Sequence, residues 1–353
     1  DSNVKKISSY ITRKVADRLS ELFAQHREEF QKKWDDLKIF IQYGIITDEK
    51  FAEKAADFVL LKNTEGKYFT LSEYAALVKE NQTDKNGNVI YLYTNDPVSQ
   101  NSFVGAARDK GYDVLVMDGQ LDTHFIGWFE NKNQGTRFVR VDADVVDKLI
   151  EKENNLKMAL SSAQQDLLRP VFEAQLPAED KIRYTVSFEP MAENQMPVMI
   201  TQNEFMRRMK DMAAMGGSGM QFYGQLPDNF NVVINGNHPL VAEILGEVEA
   251  SYGDKLKTTN KKLDAAIAEQ RSFEELVKDK KAEDFSQEEK DKQQEVDKKV
   301  EDLRRQRTER LTEIGRENKL VKQVVDLALL SNSMLKGENL TNFIRRSVEL
   351  IGK

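Results

Sequence analysis

Apolar residues recur every three or four positions through the first part of the chain. This spacing places them on one side of a helix, which is typical of an amphipathic helix packed against a core. A polar break separates two such runs, and together they predict a helical region over residues 1–85. The apolar positions are Val4, Ile7, Ile11, Val15, Leu19 and Leu22 in the first run, and Phe30, Trp34, Leu37 and Ile41 in the second.

Short runs of β-branched and aromatic residues come next. Residues 90–94 and 114–118 bracket a helix-length stretch, which is the layout of a small parallel βαβ unit. Residues 137–141 add to it, so we predict a small αβα layer over residues 86–155. Further strands are predicted at 182–188, 197–200 and 230–234, within a mixed third region over 156–353. The predicted fold class is therefore α+β.

Residues 247–315 have a different character, because thin apolar seams run through otherwise charged helices. A charge-rich break at 279–285 separates the seams, and Ser286 with Glu289 then forms a capping box for a returning helix. We interpret this stretch as an inserted antiparallel helical hairpin, although no proline or glycine enforces the turn and one continuous helix is the alternative. The seams consist of Tyr252, Leu256, Leu263 and Ile267, and of Val296, Val300, Leu303, Leu311 and Ile314.

Composition limits the classes of function. With 353 residues, of which 40% are hydrophobic, the chain is large enough for two or three domains. Its 59 acidic residues exceed its 52 basic ones, whereas a nucleic-acid-binding protein usually has a basic surface, so no nucleic-acid partner is expected. No apolar run approaches the roughly 18 residues that cross a bilayer, and no membrane partner is expected. The lack of cysteine fits a reducing cytoplasm, which is the predicted compartment.

The sequence carries no recognisable catalytic or metal-binding motif. It has neither a GxxxxGK[ST] loop nor a GxGxxG turn after a strand, and it has no cysteine nucleophile. The three histidines, His26, His124 and His238, are far apart, which disfavours a zinc site. The glycine-rich segment at 215–220 follows a predicted helix, so a helix stop is favoured over a phosphate-binding loop. His238 is expected to cap a turn or helix rather than to catalyse a reaction.

The helix predicted after Thr201 has the most distinctive side chains. Thr201 and Glu204 are placed as a capping box, and one phenylalanine and four methionines then cover about half the helix circumference. Unbranched thioether side chains adapt to irregular apolar partners, which makes this stripe a candidate binding surface. The alternative is ordinary core or dimer-interface packing. The stripe consists of Phe205, Met206, Met209, Met212 and Met215.

Several segments, in this order along the chain, resemble the ninety-kilodalton heat-shock chaperone family of the bacterial HtpG type. They are YFTLSEY at 68–74, IYLYT at 90–94, KGYDVLVMD at 110–118, INGNHPLV at 234–241 and LTNFIRR at 340–346. The resemblance runs from about Val4 to Ile351. Residues 247–315 have no close counterpart in the common family pattern, so they are interpreted as a lineage-specific insertion.

The resemblance implies the remainder of a middle domain followed by a C-terminal dimerisation domain. In this family ATP and Mg bind a separate N-terminal domain, and the usual Ser-Arg-Glu signature of the catalytic loop would fall before Asp1. The full-length parent is therefore expected to be an ATP-binding chaperone and ATPase, whereas this chain is expected to hold no cofactor and to be no enzyme. It should bind non-native client proteins and form a homodimer. A coiled-coil scaffold that recruits a partner through the hairpin is the alternative function.

The resemblance also suggests where contacts form. The stripe beginning at Phe205 would face the cleft between subunits, and a second client contact is expected at His124, Phe125 and Trp128. Thr123 and His124 stand where HtpG-type relatives carry an acidic-aromatic pair, so this chain departs from the pattern there. The chain ends in Leu350-Ile351-Gly352-Lys353, without the acidic tail of eukaryotic members, so no tetratricopeptide-repeat co-chaperone is expected. The predicted dimer interface consists of Leu327, Leu330, Leu340, Phe343, Ile344, Val348 and Ile351.

Overall fold

The first region of the computed structural model is helical and has a small β-hairpin before its last helix. The structure describes residues 2–152, 156–214, 221–278, 280–281 and 284–351. The predicted helices are present, but the helical prediction missed two short antiparallel strands, which pair Leu60 with Thr70. Thr70 and Glu73 form a reciprocal capping box at the start of the next helix. The elements are α1 (Ser2–Gln25), α2 (Arg27–Lys32), α3 (Trp34–Thr47), α4 (Glu49–Ala55), β1 (Leu60–Lys62), β2 (Tyr68–Thr70) and α5 (Leu71–Val78).

The predicted αβα layer is confirmed as a three-stranded parallel sheet in the order β4-β3-β5. Its central strand pairs Leu92 with Val114 on one side and Tyr91 with Phe138 on the other. One face of this sheet shares an apolar cluster with helices α1 to α4, and the opposite face packs on α6 and α8. The elements are β3 (Val89–Thr94), α6 (Asn101–Asp109), β4 (Val114–Val116), α7 (Asp122–Lys132), β5 (Thr136–Arg140) and α8 (Val146–Leu149).

The third region contains a second three-stranded sheet in the order β6-β8-β7, and all three strands fall where the sequence predicts them. The outer strand β6 is parallel to β8, whereas β7 is antiparallel to it. His238 caps the helix after β8, since its Nδ1 accepts a hydrogen bond from the Leu240 amide at 3.0 Å. The elements are α9 (Ser162–Glu173), β6 (Ile182–Glu189), β7 (Val198–Gln202), α10 (Glu204–Ala214), α11 (Gln221–Gln225), β8 (Asp228–Asn235) and α12 (Pro239–Ala250).

The long charged stretch is an antiparallel hairpin, as predicted, rather than one continuous helix. Its bounds differ from the predicted 247–315, because Glu247 belongs to α12 and the returning helix continues to Glu317. The predicted Ser286–Glu289 capping box is present. The remaining elements are α13 (Asp254–Val277), α14 (Gln287–Glu317), α15 (Lys319–Ser331) and α16 (Gly337–Ile351).

The base and the outer part of the hairpin belong to different apolar clusters. Leu256 at the start of α13, with Leu311 and Ile314 near the end of α14, is buried in the main core of the third region. The outer part has a small cluster of its own, which consists of Leu263, Ala266, Val300 and Leu303, with Ile267 packed against it. The proposed domain limits at residues 85 and 155 stay predictions.

We predict that Gly315→Ala destabilises the third region, because there is no room for a Cβ where α14 crosses α9. An added Cβ would lie 2.4 Å from the carbonyl oxygen of Val171 and 2.8 Å from its Cα, and these backbone atoms cannot rotate away. The expected cost is about 1–3 kcal/mol in the free energy of unfolding, measured by urea denaturation.

Gly246→Ala is the matched control, since Gly246 is also helical and has no atom within 4 Å of an added Cβ. That change should be neutral or stabilise the protein by up to about 1 kcal/mol. Equal urea midpoints for the two variants would show that the close approach at Gly315 is not a constraint.

Candidate functional site

The methionine-bearing helix α10 begins at a different cap from the predicted one. Thr201 pairs with Asn231 inside the sheet and is buried, so it cannot form the predicted capping box with Glu204. Instead, the side-chain oxygen of Asn203 accepts a hydrogen bond from the Met206 amide at 3.2 Å. The strand extends two residues further than expected, and the Glu204 carboxylate is thereby free for other partners.

Glu204 lies where α10 meets the small parallel sheet. Its Oε1 accepts hydrogen bonds from the Tyr93 hydroxyl at 2.9 Å, from Arg207 at 2.8 Å and from Nε of Arg208 at 2.6 Å. Its Oε2 accepts a longer bond, 3.3 Å, from the backbone amide of Arg140. We refer to these five residues as the Glu204 network, which joins β3 and β5 to α10.

Arg208 makes a second connection to the same sheet. Its guanidinium donates to Glu130 of α7 at 2.8 Å and to the carbonyl oxygen of Phe138. Arg207 is buried and also donates to Asp211 at 2.7 Å, and its guanidinium lies 5.8 Å from the centroid of the Tyr93 ring. The side chains of Arg207 and Arg208 on the polar half of α10 therefore face the protein.

The opposite charges in the Glu204 network stabilise one another's ionised forms. Burial by itself raises the pKa of Glu204, but the guanidinium groups of Arg207 and Arg208 outweigh that effect and the pKa lies below its ordinary value of 4.5. Burial likewise lowers the pKa of Arg208, and the carboxylates of Glu204 and Glu130 reverse the shift, so its pKa is raised. Glu204 and Arg208 are therefore both ionised at neutral pH.

The apolar half of α10 is left on the outside. Phe205 is 61% exposed, while Met206, Met209 and Met212 are partly exposed along the same side. Met215 lies outside the described residues. The side chains at the first four positions of the predicted surface are thus accessible.

A further exposed aromatic residue lies beside this surface and was missed in the sequence. Phe222 of α11 is 67% exposed, and α11 packs next to α10, with an added Cβ at Gly224 lying 3.7 Å from the Cβ of Ala213. The helix has only five residues, which is too short for a periodic pattern. In the sequence, only the adjacent aromatic residues Phe222 and Tyr223 could have indicated an apolar surface here.

The second predicted contact surface divides into buried and accessible residues. Phe125 is buried in the core, stacked 5.8 Å from the ring of Trp128, so its side chain is not accessible to a client in this structure, and its client contact stays a prediction. His124 and Trp128, four residues apart on α7, are partly exposed. The start of α7 is fixed by Asp122, whose carboxylate accepts hydrogen bonds at 2.6 Å from both Lys38 and Gln42.

The predicted dimer interface also divides. Phe343 is buried in its own chain's core, and Leu327 and Leu340 are partly buried, packed against that core. Ile344 is 53% exposed and Val348 is 63% exposed, one turn apart on α16, and Leu330 of α15 is exposed as well. The side chain of Ile351 is not described. The accessible part of the predicted interface is therefore narrower than the sequence pattern suggested.

A buried carboxylate fixes α16 to α15. Asp326 is fully buried and pairs with Lys322 at 2.8 Å on its own helix and with Arg346 on α16. Gln323 adds a bond of 2.9 Å to Ser347. Among the described residues, no group of three or more acidic or histidine side chains could hold a metal ion, and no helix is long and apolar enough to cross a membrane.

These surfaces belong to a chain of a known family. A sequence model of Hsp90 proteins matches residues 1–266, so the chain belongs to the Hsp90 protein family, which is a family of chaperones. Chaperone protein HtpG of Bacteroides thetaiotaomicron is 46% identical over 351 residues, and that of Porphyromonas gingivalis is 43% identical over 351 residues. Each alignment covers 99% of this chain and 51% of the relative.

The matches differ in how much of this chain they cover. The family model ends inside α13, and chaperone protein HtpG of Bdellovibrio bacteriovorus matches at 25% identity over only 69% of this chain. The alignments to the Bacteroides thetaiotaomicron and Porphyromonas gingivalis proteins, at 99% coverage of this chain, extend through α13 and α14. The chain spans about half the length of the curated relatives it matches.

The Glu204 network should make stability depend on acidity. Because its pKa is lowered in the folded chain, Glu204 contributes fully above the ordinary value of 4.5, and the contribution is lost as the pH falls through the lower folded pKa. We therefore expect Glu204→Gln to be less stable than the native chain at pH 7, and this difference to shrink towards pH 3. Urea unfolding at pH 7, 5, 4 and 3 measures the difference, and a constant value across that range would contradict the assignment.

Proposed function

We propose that this chain binds non-native client proteins and associates with a second copy, as part of an ATP-dependent chaperone. The observation that supports this best is the orientation of α10, whose ionised side chains are held inside while Phe205 and the methionines remain accessible. The full-length parent would bind ATP and Mg in a region outside this chain, and the cytoplasm is the proposed compartment.

The outer side of α10 has the chemistry that a general client surface requires. Methionine side chains are flexible and polarizable, so they can pack against apolar segments of differing shape, and an exposed phenylalanine adds a large contact area. Clients would be recognised through exposed apolar side chains rather than through one sequence. Phe222 extends the proposed surface onto α11.

Self-association would use the exposed side of α16. Ile344 and Val348 are one turn apart and Leu330 belongs to the neighbouring helix, while Asp326 and Arg346 hold the two helices together from the inside. A contact between two copies of such a helix pair would be isologous, with the same residues contributed by each chain. The partly exposed client surface could then be presented twice in one assembly.

The client surface is tested by Phe205→Gln combined with Met209→Gln. If an apolar client segment covers these side chains, their loss should weaken binding by about tenfold or more, since burying one large apolar side chain contributes about 1.5–3 kcal/mol. The measurement is the concentration of chain that suppresses aggregation of a heat-unfolded client, followed by light scattering.

Val98→Gln is the matched control for this measurement, because Val98 is 85% exposed on the small parallel-sheet region, away from α10. It removes an accessible apolar side chain outside the proposed client surface and should leave protection at the native level. Native-level protection by the Phe205 and Met209 double variant would rule out α10 as the client surface.

The self-association surface is tested by Ile344→Glu combined with Val348→Glu. Burying unpaired carboxylates at an interface is unfavourable, so the association constant should fall by at least about tenfold in sedimentation equilibrium. Phe343 is left intact because it is buried in the core, where a charge would unfold the chain.

Leu276→Glu is the control, since Leu276 is 81% exposed near the end of α13 and lies outside the proposed interface. This variant should associate as the native chain does. If the α16 double variant also kept the native association constant, the second copy would have to bind elsewhere.

A further inference from the structure

We propose that Glu204 is a positioning residue, which holds α10 on the small parallel-sheet region and thereby turns the apolar side of the helix outward. The inference rests on the proposed function only in naming that apolar side as the client surface. The Glu204 carboxylate joins α10, in the third region of the chain, to the small parallel sheet.

The geometry places Glu204 between two groups of donors. Tyr93 and the Arg140 amide come from strands β3 and β5, and Arg207 and Arg208 come from the first turns of α10 itself. Since one carboxylate oxygen accepts three of these bonds, neutralising it would weaken contacts on both sides at once. No other described side chain of α10 accepts hydrogen bonds from the small parallel-sheet region.

Two arginines depend on the same carboxylate. Arg208 donates its Nε–H to Glu204 at 2.6 Å and reaches across to Glu130 and Phe138 with its other nitrogens. Arg207 is 6% exposed and bonds Glu204, Tyr93 and Asp211. Without the Glu204 charge two guanidinium groups would share fewer acceptors in a shielded site, which is unfavourable. Release of α10 would hydrate both.

Not every buried polar group in this part of the chain has a hydrogen-bond partner. Nε of Arg207 and the hydroxyl of Thr201 are buried and have no hydrogen-bond partner. Leaving the Arg207 donor unpaired opposes docking, because this group would gain water on release of the helix. The Glu204 network must overcome this cost to hold α10 on the small sheet.

Other contacts keep the two regions together when α10 is released. The Gln202 amide donates to the carbonyl of Asp142 at 3.0 Å, and Lys148 pairs with Glu189 at 2.5 Å. Neither contact involves a residue of α10. Loss of the Glu204 charge should therefore free the helix locally, without separating the regions or unfolding them.

The experiment is a distance measurement between two spin labels on the native chain, which has no cysteine of its own. Gln134→Cys labels the exposed turn before β5 and Ala214→Cys labels the exposed end of α10. Double electron–electron resonance should give a narrow distance distribution for this reference protein. Adding Glu204→Gln should broaden it and raise the released fraction by roughly tenfold, as expected for losing hydrogen bonds to a charged group.

Two further variants make the result specific. Tyr93→Phe removes one hydroxyl from the other side of the contact and should broaden the distribution less, and adding it to Glu204→Gln should have little further effect. Lys210→Met removes an α10 ion pair of 2.6 Å with Asp228 that does not reach the small sheet, and should leave the distribution narrow. If Glu204→Gln fails to fold, the Tyr93→Phe distribution decides the question.

A reference distribution that neither Glu204→Gln nor Tyr93→Phe changes would overturn the positioning role. So would additive effects of the two substitutions, since two partners in one contact must be coupled. The distances involve no client, so the client assay with Phe205→Gln and Met209→Gln is independent of them. If the distances respond but that assay does not, Glu204 positions the helix and the proposed client surface is wrong.

Discussion

The rotation of α10 about its own axis is decided by the Glu204 carboxylate. Its side chain is 20% exposed and has four donors around it, so turning the helix to put it in solvent would take the carboxylate away from Tyr93 and the Arg140 amide and would leave Glu130 without Arg208. Removing one partner from a shielded ion pair costs about 3–5 kcal/mol, whereas fully burying Phe205 would return about 1.5–3 kcal/mol. The ionic contacts therefore decide the orientation, and the apolar side of α10 is left accessible.

A shielded and paired carboxylate is present at each predicted contact surface. Asp122 fixes the start of α7 through Lys38 and Gln42, Glu204 fixes α10, and Asp326 fixes α16 through Arg346. Each carboxylate is shielded and paired, so it specifies one orientation of its helix more strictly than apolar packing does. The accessible apolar side chains of these helices take no part in the contacts that the carboxylates make.

Much of the fold follows from local patterns in the sequence. The strands at Ile182–Glu189 and Asp228–Asn235 and the caps at Ser286 and His238 depend on neighbouring residues, and they were predicted. The contacts that hold α10 were not, because an amphipathic pattern does not show which distant groups its charged side chains will meet. Its partners Tyr93 and Arg140 lie far away in sequence, and only the folded chain brings them together.

The helical hairpin is not a separate module along its whole length. A segment cut at 247–315 would remove Val248, Leu256, Leu311 and Ile314, which are buried in the main core. Loss of partner binding after such a deletion would not separate a scaffold role from collapse of the whole region. Only the outer part, around Leu263 and Val300, has a cluster of its own and is physically separable. A scaffold function, if the hairpin has one, therefore belongs to that outer part, while its base serves the fold.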